Sequence, residues 1–457
     1  MPVTLTRRAD PRPAAHGPEL LPLDAGEQYR FGFSVEACIG CHSCEVACAE
    51  QNGLPPGTVW RRVRELEGGD HPHTRRLQVS MACNHCLEPL CLAGCPTNAY
   101  EKLANGVVAH HADDCIGCQY CTWTCPYSVP VFQPDRRIVT KCDMCQPRLA
   151  EGLAPACVGA CPTHAITIEK VDVAAWRREH APADAPGLPP AALTLSTTRI
   201  EVPDAGWADV QPVDGRAVRR QEPHWPLVWL TLLSQLAVGV SVLGGGTRGR
   251  WAAALLALAA LAGAVLHLGR PVAAWKAVRN LRRSWLSREV VLLGAYALLA
   301  AGTAFVAGLA VPAAVVGCAG VYASARLYLV PGRPAWDTPL TVARFFATTA
   351  ALGSVVTGRP LLAAGGTLAG VSLTACNWAR LAGRPEPAAA ASLALEVHGA
   401  RGWTAARVAG ALAGALVALA GGPVVVATAL LLGAEAVGRW LFYVCAAPLV
   451  PAAEAGA

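Results

Sequence analysis

Sixteen of the nineteen cysteines fall between Cys38 and Cys161, in four groups of four. The groups are Cys38, Cys41, Cys44 and Cys48; Cys83, Cys86, Cys91 and Cys95; Cys115, Cys118, Cys121 and Cys125; and Cys142, Cys145, Cys157 and Cys161. The first and third share the spacing C-x2-C-x2-C-x3-C, and a proline (Pro96, Pro126, Pro162) follows the last cysteine of the second, third and fourth. This is the spacing that holds cubane clusters, because a tight loop supplies three thiolates and a distant segment supplies the fourth. Sixteen thiolates suffice for four [4Fe–4S] clusters. Zinc ribbons use two CxxC pairs per ion and lack the three-cysteine run. A disulfide framework needs export, and the first 30 residues show no apolar core of a signal peptide. Arg7-Arg8 stands without the apolar stretch of a twin-arginine signal and reads as tail.

Composition divides the sequence in two. Residues 1–225 carry 21 Lys+Arg and 26 Asp+Glu, whereas residues 226–457 carry 17 and 6. The second half has uncharged runs long enough to cross a bilayer. Eight spans are expected: Pro226–Gly246, Trp251–His267, a hairpin between Glu289 and Arg326 broken near Gly308–Pro312, Pro339–Gly358, Pro360–Trp378, Arg407–Ala420 and Pro423–Val444. The expected fold is therefore a small α+β ferredoxin-like four-cluster domain followed by an all-α eight-helix transmembrane bundle. The boundaries are a tail at 1–29, the cluster domain at 30–170, a Pro- and Ala-containing linker at 171–225 and the membrane half at 226–457. Near copies at Cys95-Pro96-Thr97-Asn98-Ala99 and Cys161-Pro162-Thr163-His164-Ala165 mark an internal repeat. Short alternating segments at Val107–His110 and Ala165–Ile168 fit small strands, and removing iron is expected to unfold this half.

In this order, the two halves resemble the iron–sulfur subunit and the eight-helix anchor subunit of dimethyl-sulfoxide-reductase-type molybdoenzymes. The first likeness rests on the quartets, on Lys141-Cys142-Asp143-Met144-Cys145 and on Cys161-Pro162-Thr163. The second rests on Pro223-His224-Trp225-Pro226-Leu227, His267-Leu268-Gly269-Arg270-Pro271, Ser284-Trp285-Leu286-Ser287-Arg288-Glu289 and Gly438-Arg439-Trp440-Leu441-Phe442-Tyr443. The resemblance implies four ligand sets: Cys38, Cys41, Cys44 and Cys161; Cys48, Cys142, Cys145 and Cys157; Cys83, Cys86, Cys91 and Cys125; and Cys95, Cys115, Cys118 and Cys121. Some relatives replace a third-group cysteine with Trp, whereas Cys118 is present here.

The same resemblance implies an electron-transfer and anchor subunit that oxidises menaquinol or ubiquinol and serves a separate molybdopterin-containing S-oxide or N-oxide reductase. Ionisable groups at bilayer depth are functional candidates. Glu289 is the expected proton acceptor, and His267 the expected hydrogen-bond partner of a quinone carbonyl. Alternatives are a polysulfide- or nitrite-reductase-type complex, a quinone-reducing dehydrogenase, or a transporter with a regulatory cluster domain. Glu435 and Arg439 stand four apart, as in an intrahelical ion pair, and Arg344 reads as a snorkelling helix-end residue. Cys318, Cys376 and Cys445 read as plain buried residues, and three scattered imidazoles (His224, His267, His398) give no expectation of haem. Besides lipid and quinone no further ligand is expected, and no nucleic acid. The expected location is the cell membrane, crossed several times. The loops after spans two, four and six carry 12 Lys+Arg and the opposite loops three, which places the cluster domain in the cytoplasm by the positive-inside rule. A competing reading makes those basic loops the docking surface for the acidic half.

Overall fold

The computed structural model describes residue 20 and residues 22–185, 187–202, 210–213, 219–244 and 246–451. Most of the expected tail, with Arg7 and Arg8, lies outside the described residues.

In the first half, strand β1 (Glu27–Ser34) alternates so that Tyr29, Phe31 and Phe33 are buried. It is the centre of a three-stranded sheet, with β8 (Ile166–Asp172) antiparallel on one side and β9 (Arg199–Glu201) parallel on the other. A second sheet orders β10 (Gln211–Pro212), β2 (Arg62–Gly68) and β3 (Arg75–Met81). Two small hairpins, β4 (Tyr100–Lys102) with β5 (Val108–His110) and β6 (Val131–Gln133) with β7 (Ile138–Thr140), follow the second and third cysteine groups. Short helices carry or border the cysteines: α1 (Ser43–Gln51), α2 (Leu90–Gly94), α3 (Tyr120–Thr124), α4 (Gln146–Ala150) and α5 (Ala156–Gly159). An apolar core of Phe31, Phe33, Leu66, Val79 and Ile166 backs them.

The segment expected to be a linker is largely folded onto the cluster half. Helix α6 (Val173–Arg178) continues from β8, with Asp172 capping it at Ala175 N. Trp176 is buried against Val171, Ala183 and Ala191, and its Nε1 donates to Ser196 O at 2.8 Å. Thr197 and Thr198 then bond Asn84, and β9 and β10 join both sheets. Pro, Ala and charge obscured this strap, because one Trp and a few small residues suffice to seat it. Residues 203–209 and 214–218 of the same stretch lie outside the described residues.

The second half is helical: α7 (Trp225–Leu243), α8 (Gly246–Leu266), α9 (Trp285–Thr303), α10 (Ala310–Leu327), α11 (Pro339–Val356), α12 (Pro360–Ala382), the short α13 (Pro387–Ala394), α14 (Arg401–Leu419) and α15 (Val424–Val444). Among the described residues, seven of the eight long helices are long and apolar enough to cross a membrane. The remaining one, α12, has 23 residues but carries Thr, Ser, Asn and Gly along its length. Proline starts α11 and α12 at their first positions, where its missing N–H costs nothing. Thr338 and Ser284 cap α11 and α9 through their side chains.

Sequence neighbours pack as helix pairs, and α7 also lies along α11. That contact depends on glycine: a Cβ on Gly353 would sit 2.5 Å from Gly239 Cα. Small residues let membrane helices approach closely. Arg344, expected to snorkel, instead lies over the Phe442 ring at 5.8 Å. The expected Glu435–Arg439 pair is also replaced. Glu435 accepts from Thr348 Oγ1 at 2.7 Å, while Arg439 donates to Gln235 Oε1 at 3.0 Å and lies 4.0 Å over Phe345. Partners on neighbouring helices thus take up groups that local spacing would have paired. Of the three cysteines expected to be buried, Cys445 is buried and Cys318 partly so, but Cys376 is exposed on α12. A thiol behaves as a small apolar group, so lipid is an acceptable neighbour for it. Substituting Gly353→Val is expected to lower bundle stability by about 1–3 kcal/mol, seen as a lower melting temperature in detergent. Gly365→Val, where a Cβ meets nothing within 4 Å, serves as the silent control.

Candidate functional site

Eight of the sixteen cysteines line two cavities in the first half. One cavity is lined by Cys38, Cys41, Cys44 and Cys161 and another by Cys83, Cys86, Cys91 and Cys125. Cys48 has Cys157 and Cys145 as electrostatic neighbours, and Cys142 has Cys48 and Cys157. Cys118 and Cys121 both neighbour Cys95 and Cys115. Left-handed residues shape the loops that make this possible: Gly40 and His42, Gly117 and Gln119, Met144 and Cys145. Among the described residues no three or more His, Cys, Asp or Glu converge on a single ion. Two sets of four thiols ring cavities instead, the arrangement that a polynuclear cluster requires.

Electrostatics supports the same fit. Burial, and then the neighbouring thiols, push the Cys48 and Cys86 thiols up to about 12, and burial pushes Cys125 up to about 11. Such thiols ionise only beside positive charge, which an iron core brings. Sulfur atoms also already receive hydrogen bonds: Thr194 Oγ1 donates to Cys86 at 3.1 Å, Ala99 N to Cys95 at 3.3 Å and Met144 N to Cys142 at 3.4 Å. The buried Arg61 holds Nε and Nη2 without a protein partner beside Cys44, Cys48, Cys142 and Cys157. Bound clusters supply one-electron conduction, and these residues fit them.

The set containing Cys95 and Cys118 sits against the membrane half. Gly269 N donates to Gly117 O at 3.3 Å and Arg270 N to Ile116 O at 3.0 Å. Asn280 Nδ2 donates to Cys95 O at 2.8 Å, and Ser284 Oγ to Gly94 O at 2.7 Å. Asp114 pairs with Lys276 at 3.1 Å and Arg279 at 2.8 Å. Glycine is required at the closest point, since a Cβ on Gly269 would lie 2.3 Å from Arg137 O. The loop between α8 and α9 therefore holds the membrane-proximal cysteines by their backbone. Its basic residues Lys276 and Arg279 serve in that docking.

His267, just past α8, lies beside the Cys118 backbone, and its Nε2 is buried without a hydrogen-bond partner. Glu289 is 4% exposed in α9, beside Ser324 and within electrostatic reach of Tyr120, two residues beyond Cys118. The two candidates come from different elements, on either side of the loop between α8 and α9.

Sequence reasoning assigned no role to the aromatic groups around them. Trp123 lies 5.0 Å from the His224 ring, 5.2 Å from Trp336 and 6.2 Å from Tyr443. His224 meets His267 edge-on at 5.5 Å. The hydroxyls of Tyr328 and Tyr443 bond at 2.5 Å, and Tyr120 Oη donates to Leu327 O at 2.8 Å. A cleft of about 1060 Å³ between the halves reaches this group and is lined there by Gln119, Trp123, His224, Arg333, Trp336 and Tyr443. The available signal was aromatic residues at span ends, which is also what membrane interfaces produce.

Fold and site together define an iron–sulfur electron-transfer unit joined to a helical membrane anchor. Residues 75–171 match the 4Fe-4S dicluster domain, and residues 249–371 match the DMSO reductase anchor subunit. A polypeptide of the anaerobic dimethyl sulfoxide reductase of Haemophilus influenzae is 39% identical over 155 residues, covering 32% of the present sequence and 76% of that protein. Its counterpart of the same description from Escherichia coli K12 is 39% identical over 153 residues, covering 32% and 75%. A sulfite dehydrogenase subunit of Allochromatium vinosum is 36% identical over 160 residues, covering 30% and 67%. The protein belongs to the family of dimethyl sulfoxide reductase electron-transfer subunits, with the iron–sulfur and anchor parts in one polypeptide. It is an integral membrane protein.

Because raised thiols take protons back readily, iron retention is expected to fall as pH is lowered from about 8 to about 5 under anaerobic conditions. Iron content after gel filtration checks this, and the iron-free protein is expected to melt at a lower temperature than the loaded one.

Proposed function

We propose that this protein oxidises quinol at the membrane interface and passes the electrons, through four [4Fe–4S] clusters, to a separate molybdopterin-containing catalytic subunit of S-oxide or N-oxide reductase type. The observation that carries this reading is that His267 and Glu289 flank the loop between α8 and α9, which docks on the backbone of residues 94–96 and 116–117 beside Cys95 and Cys118. The relatives named for dimethyl sulfoxide reductase favour that acceptor class over electron delivery from sulfite, the donor named in the less similar sulfite dehydrogenase relative.

The residues divide the work. Cys38, Cys41, Cys44 and Cys161 would hold one cluster, and Cys48, Cys142, Cys145 and Cys157 its neighbour. Cys83, Cys86, Cys91 and Cys125 would hold the third, and Cys95, Cys115, Cys118 and Cys121 the one nearest the membrane. Beside the Cys118 backbone, His267 has Nε2 buried and free to hold a quinone oxygen. Glu289, on the neighbouring helix, takes the two hydroxyl protons in turn and passes each on to the aqueous interface, as the quinol gives up its two electrons one at a time. Menaquinol and ubiquinol both present hydroxyls of this kind. Trp123, His224 and Tyr443 supply the flat apolar walls a quinone ring needs. At the far end, Cys41 is exposed beside Ile39 at 64% and Val46 at 57%. That apolar edge suits the catalytic partner. The basic loops beside the cluster half support its cytoplasmic placement by the positive-inside rule, alongside their docking role.

Glu289→Gln is expected to lower the rate of cluster bleaching by a quinol analogue by about 10²-fold or more, with iron content and dithionite-reduced spectra unchanged. Unchanged quinol-driven bleaching in both this variant and His267→Ala would remove the site assignment.

A further inference from the structure

The loop between α8 and α9 has a face that its docking role leaves unused. It opens with a 3₁₀ helix, Pro271–Val278, in which side chains three positions apart stand one above the other. Three rows result. Ala277 and Asn280 are buried in one, where Asn280 Nδ2 donates to Cys95 O at 2.8 Å. Lys276 and Arg279 make the second and pair with Asp114 at 3.1 and 2.8 Å. The third is Val272, Trp275 and Val278, continued by Leu281 in the following turn, and it is wholly apolar. Its members are 95%, 63%, 44% and 44% exposed. Because the loop joins the ends of two helices fit to cross a membrane, this row lies at the membrane surface. Leu266, 76% exposed at the end of α8, makes it continuous with the apolar surface of that helix.

Charge adds a second, independent observation. Arg282 and Arg283 are exposed, and among the described residues their side chains have no ion-pair or hydrogen-bond partner. No acidic residue occurs between Pro271 and Arg288. The backbone that presents the two arginines is held in place, since Arg288 donates from Nε to Leu281 O at 3.0 Å and from Nη2 to Arg282 O at 2.7 Å. A depression of about 440 Å³ lies there, lined by Leu92, Asn98 and residues 278–283. An apolar row beside unpaired cations suits a segment lying in the membrane surface, with the row among acyl chains and the cations at headgroups. A guanidinium meets a phosphate with a planar fork of donors, and each basic residue near an anionic surface strengthens binding. A zwitterionic headgroup carries its own cation beside the phosphate, so two unpaired arginines select an anionic one.

We propose that residues 271–283 form an interfacial strap that binds an anionic phospholipid, with Val272, Trp275, Val278 and Leu281 among the acyl chains and Arg282 and Arg283 on the headgroup phosphate. The other two rows of the same strap hold Cys95 and Asp114, so lipid bound on one side steadies the docking made on the other.

The test is native mass spectrometry of the purified full-length protein, stripped of lipid in a neutral detergent and then offered equal amounts of phosphatidylglycerol and phosphatidylcholine with the same acyl chains. The unmutated protein is expected to retain phosphatidylglycerol over phosphatidylcholine by about tenfold or more. Replacing both arginines, Arg282→Gln with Arg283→Gln, is expected to lower phosphatidylglycerol retention about tenfold and leave phosphatidylcholine as it was. Arg282→Lys with Arg283→Lys is expected to keep most of the preference, and Trp275→Ser to weaken both lipids alike. Equal retention of the two lipids, or an undiminished preference in the double Gln variant, overturns the proposal. Displacement of phosphatidylglycerol by excess glycerol phosphate overturns it in favour of a site for free anions. Its loss when the catalytic subunit binds overturns it in favour of a protein-covered face. If the double Gln variant loads less iron than the unmutated protein, the two single variants decide, each with an expected loss of about fivefold.

Discussion

Burying thiols is the interaction on which this molecule turns. Sixteen sulfur atoms packed into one small domain repel as thiolates and cannot ionise when buried alone, as the raised Cys48 and Cys86 show. Positive charge must come into their midst, from iron and from cations such as Arg61 and Lys141. Only then do the left-handed loops at Gly40, Gly117 and Met144 close around something that holds them. The apolar core behind β1 supports the ligands, but the short helices and two-stranded hairpins have little burial of their own. Cofactor and fold are therefore one stability problem.

The membrane half solves a different problem, which is to seat the cysteine-bearing half on a helical bundle. Its answer is the loop between α8 and α9. Gly269, Arg270, Asn280 and Ser284 grip main-chain atoms of residues 94–96 and 116–117, so the grip does not depend on the identity of most cluster-half side chains. His267 and the first turns of α9 flank this grip. Placement of the candidate quinol residues and docking of the wire are thus achieved by the same stretch of sequence.

Much of this was legible in the sequence where the signal was local. Cysteine spacing grouped the thiols, and the long uncharged runs marked the helices to within a few residues, with the Gly421-Gly422-Pro423 break falling between α14 and α15. What was not legible depends on residues far apart along the backbone. Trp123, His224, Tyr328 and Tyr443 come from four separate elements, and none carries a spacing pattern. The strap formed by residues 171–202 looked like connector because its folding rests on Trp176 and a few threonines finding Asn84 and Cys86. Likewise Glu435 and Arg439 satisfied a local rule that Thr348 and Gln235, on other helices, displaced.

The residues after α15 return to the cluster half. Ser128 Oγ donates to Val450 O at 2.6 Å, and Arg62 Nη1 to Pro451 O at 3.1 Å, across 389 positions of sequence. Contacts of such separation form late, after the entropy of closing the intervening segment has been met. During synthesis, residue 451 emerges only once every long helix has been made. The cluster half can therefore make these last contacts only after the final long helix has been synthesised.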